Sequence, residues 1–185
     1  AGAGAALDVV RGLVCPSGKL TETWPVRLSD VPSSANFPSE DRNAEYREGI
    51  YVGYRYFQTA HVPVALPFGF GLSYTSFSYS ELEASAEGVT FTLTNEGACA
   101  GAEVAQLYVA KPDHEVFRAE QELKGFAKVY LEPGESRRVS IPLDESSFRY
   151  FNVKTNSWEV EGGTYELRVG ASSEDVRLTA SVTLD

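Results

Sequence analysis

The chain has 185 residues, 43% of them hydrophobic and 23% charged, with a formal net charge of −10. That balance excludes general disorder, and no apolar run approaches the roughly 20 residues a membrane helix needs. The negative charge repels a polyanion, and basic residues form only short pairs such as Arg137-Arg138, so neither nucleic acid nor a membrane is expected as a partner.

Residues 3–12 are predicted as the only helix. Ala5, Ala6, Leu7, Val9 and Val10 gather on one side, Asp8 and Arg11 face away, and Gly12 is placed to close the helix with a left-handed cap. Pro16-Ser17-Gly18 stops it. Residues 19–43 are polar and carry Pro25, Pro32 and Pro38, which predicts an extended surface run. Residues 46–57 are rich in aromatic and β-branched side chains and are predicted as strand. Residues 61–75 set Pro63, Pro67, Gly69 and Gly71 around Phe68 and Phe70, the composition of a stiff, ordered linker.

After Thr75 the period changes to two. Val89, Phe91 and Leu93 alternate with threonines; Val139, Ile141 and Leu143 alternate with polar residues; so do Tyr165, Leu167 and Val169, and the run from Val176 to Leu184. Such alternation puts one strand face on a core and the other in water. Ala102–Ala110 and Glu122–Leu131 are more continuously apolar, as central strands are. Turn signals at Asn95-Glu96-Gly97, Pro133-Gly134 and Gly162-Gly163 separate the runs, and Pro133-Gly134 fits the two central positions of a type II turn. Seven or more strands without helices between them predict a mainly β fold, an antiparallel sandwich over 76–185.

The chain holds no methionine and opens on Ala1-Gly2-Ala3-Gly4, which reads as a piece of a longer protein. Residues 1–12 lack the basic start of a secretory signal. Cys15 and Cys99 lie far apart and form no C-x-x-C, which favours a reducing, cytoplasmic setting.

Chemistry-bearing residues are sparse. Glycoside hydrolysis requires two carboxylates about 5–9 Å apart. With 26 acidic residues, adjacent pairs such as Glu40-Asp41 and Glu174-Asp175 arise by chance, and both sit in polar stretches read as solvated surface. A serine-histidine site would depend on His61, beside Pro63, or His114, after Pro112-Asp113; both are read as loop residues, and no G-x-S-x-G is present. Cysteines and histidines never cluster at metal-ligand spacing. Gly69-Phe70-Gly71 lacks the rest of a phosphate-binding fingerprint and reads as tight backbone turning. Tyr46, Tyr51, Tyr54, Tyr56, Phe57, Phe68, Phe70, Tyr74, Phe77 and Tyr79 form an aromatic group suited either to packing between domains, the favoured reading, or to stacking on sugar rings. Trp158, in Ser157-Trp158-Glu159-Val160, is expected to point into the core.

Five stretches together resemble the C-terminal part of glycoside hydrolase family 3 enzymes, the group that includes β-glucosidases. Pro16-Ser17-Gly18-Lys19-Leu20-Thr21-Glu22-Thr23-Trp24-Pro25 is similar to "PSGKLP-x-T-x-P", residues 46–57 to "Y-x-EGI-x-VGYRYY", and Pro67–Thr75 to "PFGYGLSYT". Gly101–Val109 and Glu122–Phe126 with Leu131–Glu135 complete the series in the family's order. Departures are small: Thr21 for proline, Cys15 for asparagine, Phe57 and Phe70 for tyrosine.

The resemblance implies that residues 1–75, with the short helix and extended segment, end an α/β domain and its linker, and that 76–185 form a fibronectin type III-like (immunoglobulin-like) sandwich. It implies a retaining, exo-acting enzyme whose aspartate nucleophile and glutamate acid/base lie upstream. No catalytic, cofactor-binding or metal residue therefore carries over to this chain, and Glu48, in Arg47-Glu48-Gly49, matches only a structural stretch. The expected role is structural, with the parent's other domains as partners and a β-glucoside or oligosaccharide as substrate of the complete enzyme. The alternative is a non-catalytic carbohydrate-binding or interaction module.

Overall fold

The computed structural model describes residues 2–39 and 42–185; the pair Glu40-Asp41 lies outside the described residues. Helix α1 spans Gly2–Val10, and Gly12 takes the expected left-handed turn at φ +71°. None of the helix's residues is buried, although Leu7 and Val10 are apolar.

The following stretch is not uniformly extended. A two-residue strand β1 (Trp24–Pro25) pairs antiparallel with β2 (Val64–Leu66), and 3-10 turns occupy Leu28–Asp30 and Pro32–Ala35. The strand predicted over 46–57 is absent. Residues 46–53 are irregular, and a second helix, α2 (Tyr54–Thr59), follows Gly53 at φ +58°. The reason is tertiary: a helical turn places Tyr54 and Phe57, three residues apart, on one buried face, and this outweighs their strand preference.

Nine strands follow: β3 (Phe77–Ser85), β4 (Gly88–Asn95), β5 (Gly101–Ala110), β6 (Glu122–Leu131), β7 (Ser136–Pro142), β8 (Arg149–Asn152), β9 (Ser157–Val160), β10 (Gly163–Gly170) and β11 (Val176–Leu184). One sheet has the order β3-β4-β7, the other β11-β10-β5-β6, and all pairings are antiparallel. Phe91 and Leu93 from the first sheet and Leu107, Leu131, Tyr165 and Leu167 from the second are fully buried in one core. The alternation read from β4, β7 and β10 thus faces that core. Gly134, at φ +74°, serves the turn between β6 and β7.

Two expectations fail for positional reasons. Strand β6 is an edge strand, not a central one. Trp158 is 64% exposed: β8 and β9 form a separate hairpin outside both sheets, so alternation there does not aim Trp158 at the core. Among the described residues no helix is long and apolar enough to cross a membrane.

Strand β5 is buried on both faces. Ala105, Leu107 and Val109 join the core, while Gln106, Tyr108 and Ala110 are buried on the opposite side. That second face carries the site described next.

Candidate functional site: a polar seam on the back of a central strand

Lys19, Tyr54 and the Phe68-Gly69 turn lie against β5. Tyr54 of α2 stacks on Phe68 (centroids 4.9 Å apart, 29° between planes) and meets Tyr108 edge-on at 5.9 Å. The Tyr54 hydroxyl accepts a hydrogen bond from the Leu123 backbone N–H at 2.8 Å. Burial pushes the phenol pKa values of both Tyr54 and Tyr108 up, so both rings enter the seam neutral.

Around the rings the backbone polar groups are taken up one by one. Gln106 Nε2 donates to the carbonyls of Gly69 (3.1 Å) and Ala171 (2.8 Å), and Gln106 Oε1 accepts from the Tyr108 hydroxyl at 2.5 Å. Gln58 and Gln121 both donate to the Ser173 carbonyl, at 2.6 and 2.8 Å, while the Ser173 N–H donates to Phe68 O at 2.9 Å. Lys19 Nζ pairs with Glu103 at 2.7 Å and also donates to Ala171 O at 3.0 Å. Both charged side chains are largely shielded from water, at 15% and 10% exposure. The Leu20 N–H bonds Phe70 O, and the Gly69 N–H bonds Leu20 O, each at 2.8 Å. The seam therefore joins the N-terminal segment, β5 and the β10–β11 loop.

The Gly69-Phe70-Gly71 motif finds its explanation here. A Cβ at Gly69 would stand 2.1 Å from Gln106 Oε1, and one at Gly71 would stand 2.5 Å from Gly18 O. Both glycines permit close approach of chain segments. Tyr54, Phe57 and Phe68 act as packing residues, whereas Tyr46 and Tyr74 remain exposed.

The remaining predicted residues do not converge. Glu174 is exposed, and Asp175 is paired with Arg177 at 2.5 Å. His61 and His114 are exposed on loops, His114 Nδ1 lying 2.9 Å from Lys111 O. Glu48 lines a surface pocket of about 400 Å³ with Arg47, Tyr51, Tyr56 and Phe117, and it is the single carboxylate there. The groove of about 1160 Å³ beside α1, lined by Cys15, Cys99, Tyr74 and Tyr130 among others, contains no carboxylate. Two shallow grooves hold two acids each, Glu120 with Glu174 and Glu83 with Glu87. All four are exposed, and Arg168 and Arg138 occupy Glu120 and Glu83 at 3.3 and 2.5 Å. Neither groove therefore offers a sequestered pair of free carboxylates converging on one point.

Lys19, Gln58, Glu103, Gln106, Gln121 and Ser173 were not among the candidate residues. Glu103 and Gln106 carried a signal: they are polar within an otherwise apolar strand, and a buried polar group calls for a partner. Ser173 works through its backbone, for which sequence has no signal.

The sandwich portion matches the fibronectin type III-like domain over residues 103–173. The crystal structure of a Bifidobacterium adolescentis GH3 β-glucosidase superposes with a TM-score of 0.93 at 45% identity, covering 98% of this chain and 28% of that one. The chain belongs to glycoside hydrolase family 3. Within that family it corresponds to a C-terminal part. Thermostable β-glucosidase B of Acetivibrio thermocellus is 45% identical over 190 residues, 98% of this chain and 25% of that protein. An exo-α-(1→6)-L-arabinopyranosidase of Bifidobacterium breve is 43% identical over 189 residues, again 25% of its length. The chain thus spans about a quarter of the family 3 relatives it matches.

Proposed function

We propose that this chain is the structural C-terminal portion of a retaining, exo-acting β-glucosidase-like hydrolase. Residues 1–75 complete an α/β domain, residues 76–185 form the terminal sandwich, and the seam locks the second onto the first. The nucleophile and acid/base belong to other parts of the longer protein; none of the residues described above is assigned a catalytic, cofactor or metal role. The complete enzyme acts on a β-glucoside or oligosaccharide, and its remaining domains are this chain's partners. The two free thiols favour a cytoplasmic setting.

One observation carries the reading: an ordered, buried seam sits beside an N-terminal segment whose own apolar face is uncovered. Before Phe77 only Tyr54 and Phe57 are buried hydrophobics among the described residues, while Leu7, Val10, Leu13, Leu28 and Phe37 stand exposed. Such a segment has the surface of a domain edge, to be covered by the rest of that domain. The relatives' names add a second support. A β-glucosidase and an arabinopyranosidase match this same stretch almost equally, as suits a supporting part that does not itself choose the sugar.

The purified chain should show no turnover of an aryl β-glucoside, and co-expression with the upstream part should restore it. Measurable hydrolysis by the 185-residue chain alone would overturn the proposal.

A further inference from the structure

The groove beside α1 is lined by both of the chain's cysteines, and the seam uses neither. Cys15 lies on the segment that follows α1, and Cys99 lies in the bend that joins β4 to β5. The Cys15 sulfur is 3.3 Å from Ser73 Oγ and accepts from the Tyr74 N–H at 3.4 Å. It is also 3.1 Å from the place a Cβ on Gly101 would take. Cys99 is two residues before Gly101, within about 7 Å along the chain. On the other side of Cys99, the Thr75 hydroxyl donates to Asn95 Oδ1 at 2.5 Å, and Asn95 Nδ2 donates to the Cys99 carbonyl at 2.9 Å. Cys99 is thus held between Asn95 and Gly101, the two points at which Thr75 and Cys15 touch the sandwich.

The surroundings decide the chemistry. Neither a histidine nor a carboxylate lines the groove, so no general base stands beside either thiol to activate it as a catalytic nucleophile. Two sulfurs fall short of the four ligands of a structural zinc site. Both thiols are free and partly exposed, which leaves them open to oxidation. Residues 97–99 form a bend outside β4 and β5, so the backbone there can shift to bring the two Cα atoms within the roughly 6 Å that a disulfide spans. We propose that Cys15 and Cys99 are a reversible redox pair, whose disulfide staples the segment after α1 to the sandwich. With glutathione disulfide as oxidant, one cysteine thiolate attacks a glutathione sulfur, breaks that S–S bond and releases one glutathione thiolate. The second cysteine thiolate then attacks the mixed disulfide, forms the Cys15–Cys99 bond and releases the second glutathione. Two electrons pass to glutathione, and the two protons lost by the cysteines end on its thiols. In a reducing setting the pair stays as two thiols, and the staple closes only on oxidation.

Incubating the 185-residue chain with excess glutathione disulfide should remove both titratable thiols and lower its mass by about 2 Da, the loss of two hydrogens. Proteolysis should then recover the Cys15 and Cys99 peptides joined. Because the bond closes a loop of roughly 85 residues, the oxidised chain should melt about 5–10 °C higher, and dithiothreitol should reverse the rise. Cys15→Ser and Cys99→Ser should each abolish it. Thiols that stay titratable, glutathione adducts without a joined peptide, or a disulfide between two copies of the chain would each overturn the pair. An oxidised chain that melts no higher than the reduced one would overturn the staple.

Discussion

Replacing Lys19 by methionine should destabilise the chain by about 3–5 kcal/mol, the cost of leaving one partner of a shielded ion pair behind. Glu103 meets the Lys19 ammonium at 2.7 Å and is itself 10% exposed, so its charge would lose both partner and water. Glu103 Oε1 would keep only the neighbouring Val104 N–H, at 2.8 Å. The Ala171 carbonyl would lose one of its two donors as well. For a chain of this length that corresponds to a melting temperature lower by about 10 °C, readable by circular dichroism. The variant Lys19→Met with Glu103→Gln should recover a large part of the loss, because the stranded charge is then gone. Equal melting of Lys19→Met and the unaltered chain would mean that the pair carries no weight in the seam.

Gln106→Ala should cost about 2–4 kcal/mol, because it removes three hydrogen bonds and strands buried groups. The Gly69 carbonyl and the Tyr108 hydroxyl lose this partner, and a void opens beside Gly69. Tyr108 is fully buried, so water cannot replace the lost acceptor without entering the seam. Lys19 and Gln106 share Ala171 O, so the two substitutions should not add. A double-mutant cycle is expected to give a coupling of about 0.5–3 kcal/mol. Strict additivity in urea unfolding would show that they act at unrelated places.

These residues also show where the sequence was readable. Phe91 and Leu93 alternate with threonine because one face of β4 meets the core, and that period survives translation into structure directly. Pro133-Gly134 specified its own turn through allowed backbone angles. The five family-like stretches located the chain in family 3 before any contact was known. Strand β5 read as continuously apolar for a reason sequence cannot display: its second face is covered by Tyr54 and the Phe68-Gly69 turn. Strand β6 gave the same reading from the sheet edge, so apolar continuity alone did not rank strand position. At Tyr54–Phe57 the strand-forming composition lost to a helical turn that buries two rings together. Trp158 was misplaced because alternation tells which residues share a face and not what that face meets.

The candidate site was legible only in outline. The aromatic packing role of Tyr54, Phe57 and Phe68 followed from composition, and Glu103 and Gln106 announced themselves as polar residues in an apolar run. Their partners did not, because Lys19, Gly69 and Ala171 reach them through the folded topology. The glycines at 69 and 71 resembled a binding motif by spacing, yet each makes room for a neighbouring segment.

The proposed support role expects the reacting carboxylates to lie outside this stretch, and that is open to direct chemical reading in the longer protein. A 2-deoxy-2-fluoro glycosyl inactivator traps the glycosyl-enzyme of a retaining glycosidase on its nucleophile. Peptide mass spectrometry of the labelled parent should place the sugar on an aspartate upstream of residues 1–185. A label on Glu48, Glu120, Glu174 or any other acid of this chain would contradict the account.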